Sequence, residues 1–281
     1  MDSVGILYLV ATPIGNLKDL SQRAVETLRT VDFIAAEDTR HSRVLLTHYG
    51  ISTPMVALHE HNENKVSTAL LDRIQQGESA ALISDAGTPL ISDPGFPLVQ
   101  EAIQRHIQVS PIPGPCALTA ALSASGLATN RFRFEGFPPR TSSARKKLLE
   151  ALVDADCTTI FYESSHRIAG FCDDISAVMP PDRAVCVARE LTKIHESIVT
   201  TTCGELAAWI RDTPHADKGE FVVVLQAAPE VEADTGLSGE HLRVLKLLLE
   251  ECSVKTAVAL TVRITGAKKD LAYAAALALK A

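Results

Sequence analysis

Short apolar runs alternate with polar loops and amphipathic segments through the first half of the chain. Each run has four to six residues and ends in a loop rich in Pro, Gly, Asp or Glu. A segment with apolar residues at helical spacing follows each loop, so the pattern predicts five successive strand, loop and helix units. The predicted strands are Ile6–Ala11, Phe33–Ala36, Met55–Leu58, Ala80–Ile83 and Ile107–Ile112.

Five such units in a row predict a parallel sheet, because right-handed crossovers give consecutive strands the same direction. The loops after the strands then meet at one edge, where open α/β sheets bind ligands. We expect the longest of these loops, Ser84–Gly95 (SDAGTPLISDPG), to form one wall of a ligand site. We also predict that Asp19 and Gln22 form a capping box at the start of the first helix.

The pattern changes after Ser125–Asn130, which we expect to be a hinge. Alternating aromatic residues at 131–137, further short apolar runs and a predicted hairpin indicate a second α/β domain with a mixed sheet. An acidic stretch poor in large apolar residues then precedes three helical segments. We therefore expect α/β domains at 1–124 and 125–228, a linker at 229–239 and a helix-turn-helix-like extension at 240–281.

The net charge of −7 at pH 7 has the wrong sign for a protein that coats a phosphate backbone. Nucleic-acid binding would need local basic patches or a structured ribonucleoprotein surface. Candidate patches are Arg140, Arg145, Lys146 and Lys147 at the start of one predicted helix, and Lys268 and Lys269 near the last turn. A solvated helix surface is the alternative interpretation of both patches.

Six cysteines are scattered without any CxxC pair, which predicts buried free thiols rather than a zinc site or disulfides. No apolar run approaches the ~20 residues of a membrane helix, and the first residues lack a basic segment before an apolar one. We expect a cytoplasmic protein with no membrane segment.

Several common catalytic motifs are absent from the sequence, namely GxGxxG, GxxxxGK[ST], GxSxG and HExxH. The predicted loops offer carboxylates and prolines instead, with Asp85 directly after the fourth strand. Prolines remove donors, while carboxylates and loop carbonyls supply acceptors. Such a site suits a ligand with cationic and amine groups, so it favours S-adenosylmethionine over a nucleoside triphosphate. The alternative is that Asp85 only caps a helix or binds loop amides.

Nine motifs occur in order between about Leu7 and Leu225, and a helical tail follows from Leu242 to Leu279. Together they resemble the tetrapyrrole-methylase superfamily, and within it the bacterial methyltransferases that modify ribose in small-subunit rRNA. The motifs are YLVATPIGNLKDL, AAEDTRHS, ALHEHNE, ISDAGTPLISDPG, PIPGPCA, FEGFPPR, FYESSHR, ARELTKIHE and KGEFV.

The resemblance implies a cytoplasmic homodimer that binds S-adenosylmethionine between two α/β domains and requires no metal. It implies methylation of the ribose 2'-hydroxyl of a cytidine in the decoding region of 16S rRNA. The sequence leaves open whether the substrate is naked RNA or an assembled small subunit, and the acidic net charge favours the assembled subunit. The implied cofactor contacts are Pro13, Ile14, Asp85, Gly87, Thr88, Pro89, Cys116, Ala117, Tyr162, Ala188, Arg189, Gly219 and Glu220.

A ribose hydroxyl is a poor nucleophile, so a nearby acceptor or cation should remove or compensate its proton. The pattern does not choose among the candidates on the expected edge of the sheet. An internal ion-pair network is the alternative interpretation of residues 37–40, and Arg40 and His59 are also candidates for RNA contact. The candidates are Glu37, Asp38, Arg40, His59, Glu190 and Lys193.

Two other functions remain open. The first is a tetrapyrrole C-methyltransferase on the same fold, which the helical tail disfavours, as does Ala11 where such enzymes often have glycine. The second is a non-catalytic RNA-binding factor in ribosome assembly that retains the fold.

Overall fold

The structure is a computed structural model that describes residues 4–59, 62–229 and 237–279. The chain divides into two compact units, Met1–Ala227 and Ala228–Ala281, and each is described by itself. Within the described ranges, no helix combines the length and the apolar character needed to cross a membrane.

Five parallel strands form the first sheet in the order β3-β2-β4-β1-β5, which confirms the predicted parallel sheet. The order places β4 beside β1 at the centre, so the loops that follow these two strands adjoin. The strands are β1 (Ile6–Val10), β2 (Phe33–Ala36), β3 (Met55–Ala57), β4 (Ala80–Ile83) and β5 (Gln108–Ile112).

The central strands are apolar throughout because helices cover both faces of the sheet. Every residue of β2 and β4 is buried, and neighbouring side chains of each strand belong to two different core clusters. The helices of this part are α1 (Gln22–Thr30), α2 (Thr39–His48), α3 (Glu63–Gln75), α4 (Phe96–Gln104) and α5 (Ala117–Ala124).

The predicted capping box at Asp19 is wrong. Helix α1 begins at Gln22, and its cap is Ser21, whose hydroxyl accepts a hydrogen bond from the Ala24 amide at 3.1 Å. Asp19 instead ends a short 3₁₀ turn that starts at Leu17. Its backbone is already committed to that turn, so it does not take the cap position.

The second sheet is mixed and has the order β6-β7-β10-β8-β9. Only β6 and β7 are parallel, and β8 and β9 form the predicted antiparallel pair. Its strands are β6 (Phe132–Phe134), β7 (Thr158–Ser164), β8 (Ala184–Arg189), β9 (Ser197–Thr202) and β10 (Glu220–Leu225), and its helices are α6 (Ser142–Glu150), α7 (Ile168–Val178) and α8 (Cys203–Asp212).

Alternate residues of this sheet face opposite sides, as strand geometry requires. On β10, Val223 and Leu225 pack with residues of α7 and α8, whereas Val222 and Val224 pack with α5. Helix α5 belongs to the first half of the chain but lies against the second sheet. The two α/β halves therefore share a core.

The second unit is helical and has its own apolar core, with Leu245 and Ala257 fully buried. The predicted linker at 229–239 lies mostly outside the described residues. The three helices are α9 (Gly239–Glu251), α10 (Val254–Thr265) and α11 (Lys269–Ala278). All six cysteines of the chain are free, and three of them are buried.

Candidate active site

Three loops at the carboxyl edge of the first sheet are joined by hydrogen bonds. The loops after β1 and β4 meet where Thr12 and Gly87 exchange backbone hydrogen bonds of 2.9 and 3.1 Å. The Thr88 hydroxyl donates to the Pro115 carbonyl at 3.0 Å, which connects the loop after β4 to the loop after β5. The edge is therefore a single hydrogen-bonded surface.

Two glycines allow this close approach. Gly87 has a φ of +85°, and a Cβ there would lie 3.2 Å from Ile14 Cγ2. A Cβ on Gly15 would lie 2.5 Å from Lys193 Cγ and 3.2 Å from the Leu191 carbonyl oxygen. Any side chain at Gly15 would push the loop after β8 away from the loop after β1.

The larger cavity at this edge, which we call the Tyr162 pocket, has a volume of about 320 Å³. That volume is within the ~300–1,000 Å³ of small-molecule sites. Its walls come from the loops after β1, β4 and β5 and from strands β7 and β10 of the second sheet. Its lining residues are Ile14, Ala86, Gly87, Thr88, Ile91, Ser92, Asp93, Cys116, Ala117, Phe137, Tyr162, Glu163, Ser164, Leu191, Glu220, Phe221 and Val222.

Tyr162 links the two halves of this pocket. Its hydroxyl accepts a hydrogen bond of 3.1 Å from the Leu118 amide at the start of α5. Phe134 and Phe137 meet its ring edge-on, with ring centroids 4.8 and 5.8 Å away. Burial, the Cys116 thiol and the Asp93 carboxyl raise the pKa of Tyr162, so its hydroxyl stays neutral.

A second cavity adjoins the first and shares Ile14, Ala86 and Glu220 with it. We call it the Asp85 pocket. Asp85 Oδ1 accepts a hydrogen bond of 3.1 Å from the Asp38 amide, so this carboxylate also fixes the loop after β2. The remaining lining residues are Thr12, Pro13, Gly15, Leu17, His41, Ser42, Val44, Leu45, Ser84, Asp85 and Lys193.

Most of the predicted cofactor residues line one of the two cavities. Gly87, Thr88, Cys116, Ala117 and Tyr162 line the Tyr162 pocket. Pro13 and Asp85 line the Asp85 pocket, and Ile14 and Glu220 line both.

The other four predicted cofactor residues lie outside both linings. Pro89 and Ala188 are buried, and Ala188 packs in the core that α5 shares with the second sheet. The Arg189 guanidinium donates to the carbonyls of Lys218 and His195 at 2.5 and 3.1 Å. Gly219 lies against the Glu190 side chain. Their contacts position the walls rather than fill the cavities.

The three predicted catalytic candidates after β2 have different surroundings. Asp38 caps α2 and forms an ion pair of 3.2 Å with Arg40, whose side chain is 90% exposed. Hydrogen bonds from Arg40 lower the pKa of Asp38. Burial and the neighbouring Asp85 raise the pKa of Glu37, although a backbone hydrogen bond to Asp85 opposes this.

Glu190 and Lys193 hold each other at the opposite wall. Lys193 Nζ donates to Glu190 Oε1 at 2.9 Å and to Glu220 Oε2 at 2.8 Å. Burial alone would lower the pKa of Lys193, but the bonds to both glutamates raise it. At Glu190, burial alone would raise the pKa, but the hydrogen bond from Lys193 lowers it below its ordinary value. Both residues are therefore charged at neutral pH.

The predicted RNA contact of Arg145 is not available in this structure. The Arg145 side chain is 9% exposed and donates to Asp174 Oδ2 at 2.6 Å, and Asp174 is itself 6% exposed, so the two form a buried ion pair that joins α6 to α7. Arg140, Lys147, Lys268 and Lys269 are exposed. Arg40 is exposed as well, the Lys146 side chain is 45% exposed, and His59, two residues after the end of β3, is half-buried.

Sequence reasoning did not single out Asp93, Phe137 or Glu163, which line the Tyr162 pocket. Burial, reinforced by the charges of Glu37 and Asp85 and opposed by the nearby Ser84 hydroxyl, raises the pKa of Asp93 to about 6. Asp93 lies in the same SDAGTPLISDPG loop as the predicted cofactor residues, and its position in that loop is the one signal that could have identified it.

Comparison with known proteins shows which family the chain belongs to. The model of the Tetrapyrrole (Corrin/Porphyrin) Methylases matches residues 6–207, which is more than half of the chain. The chain belongs to this family. A second model, described as the RsmI C-terminal HTH domain, matches residues 235–280.

Within the tetrapyrrole methylases, the chain is similar to proteins named ribosomal RNA small subunit methyltransferase I. One from Haemophilus influenzae is 48% identical over 277 residues, covering 99% of this chain and 98% of that protein. One from Escherichia coli O157:H7 is 48% identical over 276 residues, covering 98% and 96%. The chain belongs to this branch of the family, and the similarity extends through both units.

A solved tetrapyrrole methylase supports the fold. Uroporphyrin-III C-methyltransferase from Thermus thermophilus, crystallised with S-adenosyl homocysteine, superposes with a TM-score of 0.54 at 16% identity. The match covers 78% of this chain and 97% of that structure.

Proposed function

We propose that this chain transfers a methyl group from S-adenosylmethionine to the ribose 2'-hydroxyl of a cytidine in the decoding region of 16S rRNA. The observation that carries the proposal is the near-full-length similarity to small-subunit rRNA methyltransferases, which includes the helical second unit. A two-lobed pocket of ligand size at the carboxyl edge of the first sheet agrees with it. We also propose that the protein acts in the cytoplasm as a homodimer.

The residues of the Tyr162 pocket suit the methyl donor. The backbone at Gly87 and the start of α5 leaves room for a ligand, and Tyr162 and Phe137 supply aromatic surface. Asp85, in the adjoining cavity, is an acceptor for a cationic group. When bound, S-adenosylmethionine supplies a methyl group on a positively charged sulfur. The protein contributes positioning, which accounts for much of the rate in such displacements.

Exposed cations beside the pocket suit the RNA. Arg140 lies three residues after the pocket residue Phe137 in the sequence, and Lys147 is exposed on α6, the helix that follows. We propose that these residues contact phosphates together with Arg40, His59, Lys146, Lys268 and Lys269. The net charge of −7 favours an assembled small subunit over naked RNA as the substrate, because the protein has no general attraction for a phosphate backbone.

Two variants test the donor site by calorimetry with S-adenosylmethionine. Asp85→Ala should weaken binding, whereas Asp156→Ala, which removes a carboxylate that is 72% exposed, should leave it unchanged. If the two variants bound S-adenosylmethionine equally well, the methyl donor would not contact Asp85. No binding by the purified wild-type protein would exclude both enzyme interpretations and favour the non-catalytic RNA-binding factor.

Mass mapping of 16S rRNA tests the acceptor. A strain that lacks this protein should lose ribose methylation at one cytidine of the decoding region. An unchanged pattern, with S-adenosylmethionine binding intact, would instead favour a tetrapyrrole C-methyltransferase.

A further inference from the structure

We infer that Asp93 is the residue that accepts the proton of the ribose hydroxyl during methyl transfer. This inference rests on the proposed ribose methylation. The first observation is the location of Asp93, which is the only aspartate among the described residues that line the Tyr162 pocket. Its Oδ2 atom is buried and accepts no hydrogen bond from the described residues. A buried acceptor atom that lacks a donor costs folding free energy, so it is expected mainly where a bound ligand supplies the donor.

The backbone before Asp93 is held in an unusual conformation. Leu90 and Ser92 have φ angles of 74° and 69°, which non-glycine residues rarely adopt. Gly136 packs against this turn, since a Cβ on it would lie 3.6 Å from Ser92 Oγ. Such strain persists where surrounding structure enforces it, commonly at active sites. Asp93 directly follows this turn and lines the Tyr162 pocket.

The other candidates are engaged elsewhere. Asp38 is the cap of α2 and is paired with Arg40. Glu190 is paired with Lys193, and that lysine is a protonated donor to two carboxylates. None of these groups has both a free acceptor atom and a place in the Tyr162 pocket. Glu37 lines neither cavity among the described residues. Glu163 and Glu220 line the Tyr162 pocket, but both face a cation: Glu163 Oε2 lies 3.3 Å from the Arg167 guanidinium, and Glu220 Oε2 accepts a hydrogen bond from Lys193.

The groups that face Asp93 suit a proton acceptor. The negative charges of Glu37 and Asp85 repel the charge of an ionised Asp93. Tyr162 faces it with a neutral hydroxyl. Burial and these charges raise the pKa of Asp93 to about 6, so it is ionised at neutral pH yet more basic than an ordinary aspartate. General bases work best when their pKa lies near the operating pH.

The step balances without another reactant. The ribose oxygen forms a bond to the methyl carbon as the carbon–sulfur bond breaks, and the electron pair of that bond goes to sulfur. The hydroxyl proton passes to Asp93 Oδ2, and the carboxylic acid later releases it to water. The products are the 2'-O-methyl ribose, a neutral thioether and one proton.

The test compares wild type with Asp93→Asn, which keeps the size of the side chain but removes the acceptor. Methyl transfer is measured in single turnovers on small subunits from a strain that lacks this protein, from pH 5 to 9. We expect Asp93→Asn to slow transfer by about 100-fold or more. The wild-type rate should rise tenfold per pH unit up to a bend near pH 6, and this bend should be absent in the variant.

Two further measurements separate a chemical role from a structural one. S-adenosylmethionine affinity, measured by calorimetry, should change by less than about threefold in Asp93→Asn, which corresponds to under ~1 kcal/mol. Carbon NMR of the wild-type carboxyls should show Asp93 titrating near pH 6, and Asp93→Glu should recover part of the rate. Asp156→Asn is the control, since that carboxylate is 72% exposed and lies in neither pocket.

Wild-type activity together with an equally active Asp93→Asn would overturn this inference and leave the proposed function standing. A large loss of donor affinity with a normal rate at saturation would also overturn it, by making Asp93 a donor-binding residue. A wild-type protein that binds the donor but methylates no ribose would overturn both proposals.

Discussion

Asp93 and Arg145 are two charged residues whose surroundings set them apart from other members of their motifs. Asp93 has a buried oxygen atom without a hydrogen-bond partner among the described residues, in a pocket lined by predicted cofactor residues. Arg145 is in a basic cluster by sequence, but its charge is buried against Asp174. For both, burial rather than residue type decides the role.

The raised pKa of Asp93 has a consequence for stability. An aspartate titrates near 3.9 in an unfolded chain, and Asp93 titrates near 6 in the folded protein. Because the folded pKa is the higher one, its stabilising effect is complete below about pH 4 and is lost as the pH rises through 6. The ionised carboxylate therefore destabilises the fold at pH 8.

We expect Asp93→Asn to raise the free energy of unfolding at pH 8 relative to wild type, by about 1 kcal/mol after solvent screening. Near pH 4 the difference between the two proteins should shrink. Urea unfolding at both pH values measures this. Asp156→Asn should show no comparable pH-dependent gain. A stability gain of Asp93→Asn over wild type that is no larger at pH 8 than at pH 4 would contradict the raised pKa.

Arg145→Ala should lower stability, because it leaves the buried Asp174 carboxylate with only the Ser142 hydroxyl at 2.6 Å and the half-exposed Lys146 ammonium at 3.8 Å. Breaking a buried ion pair in this way costs ~3–5 kcal/mol. Lys147→Ala, on the exposed side of the same helix, should leave the unfolding free energy within about 0.5 kcal/mol of wild type. Urea unfolding of the two variants distinguishes them. Equal stability would mean that Arg145 is not the structural residue that its contacts indicate.

At the scale of elements, the site depends on loops that are hydrogen-bonded to one another. Gly87 adopts a φ of +85° in the contact between the loops after β1 and β4, and a Cβ there would crowd Ile14 Cγ2 at 3.2 Å. Gly126 has a similar φ of +72°, but a Cβ there would meet nothing within 4 Å. A comparison of alanine substitutions at Gly87 and Gly126 therefore separates the effect of backbone strain from the effect of crowding at the pocket.

Gly87→Ala and Gly126→Ala should each lose ~1–2 kcal/mol of stability from the left-handed backbone. Only Gly87→Ala should also weaken S-adenosylmethionine binding, by about 1 kcal/mol or roughly fivefold in Kd. Thermal unfolding and calorimetry on both variants provide the comparison. Equal donor affinity in the two proteins would show that this loop contact does not shape the donor site.

Helices and strands were predictable from the sequence where the spacing of apolar residues matches the positions that are buried in the fold. Strands Phe33–Ala36 and Ala80–Ile83 have the bounds that their apolar patterns predicted. The cap of α1 was wrong because Asp19 and Ser21 both fit a cap pattern, and the choice depends on the turn before the helix. Local patterns do not contain that information.

The candidate site was predictable only in part, for a similar reason. Residues directly after strands, such as Asp85 and Gly87, could be placed at the sheet edge from topology alone. Asp93 lies eight residues beyond Asp85, where the path of the loop decides what it faces. The burial of Arg145 depends on α7, a tertiary contact that no spacing within its own motif reveals.

At the scale of the whole molecule, an acidic protein has to recognise RNA through separate basic areas. Lys268 and Lys269 form one such area in the second unit, at the turn into α11. The region of Arg140 and Lys147 is a second one in the first unit. We predict that each area contributes phosphate contacts that depend on salt rather than on base sequence.

Replacing both Lys268 and Lys269 by Ala should weaken small-subunit binding and reduce its logarithmic salt slope by about 2. Replacing Lys246 and Lys255, which are also exposed in the second unit, removes the same charge as a control. Filter binding at several salt concentrations measures both variants. The same loss in both would indicate a general charge effect instead of contact at this turn.

The central claim is methyl transfer from S-adenosylmethionine to one ribose of 16S rRNA, and reconstitution tests it most directly. Purified protein is incubated with small subunits from a strain that lacks it and with donor that carries an isotopically labelled methyl group. Mass mapping of the rRNA then locates the label. The account predicts label on the ribose of a single cytidine in the decoding region. Label on a base, on another nucleotide or on no nucleotide would contradict it.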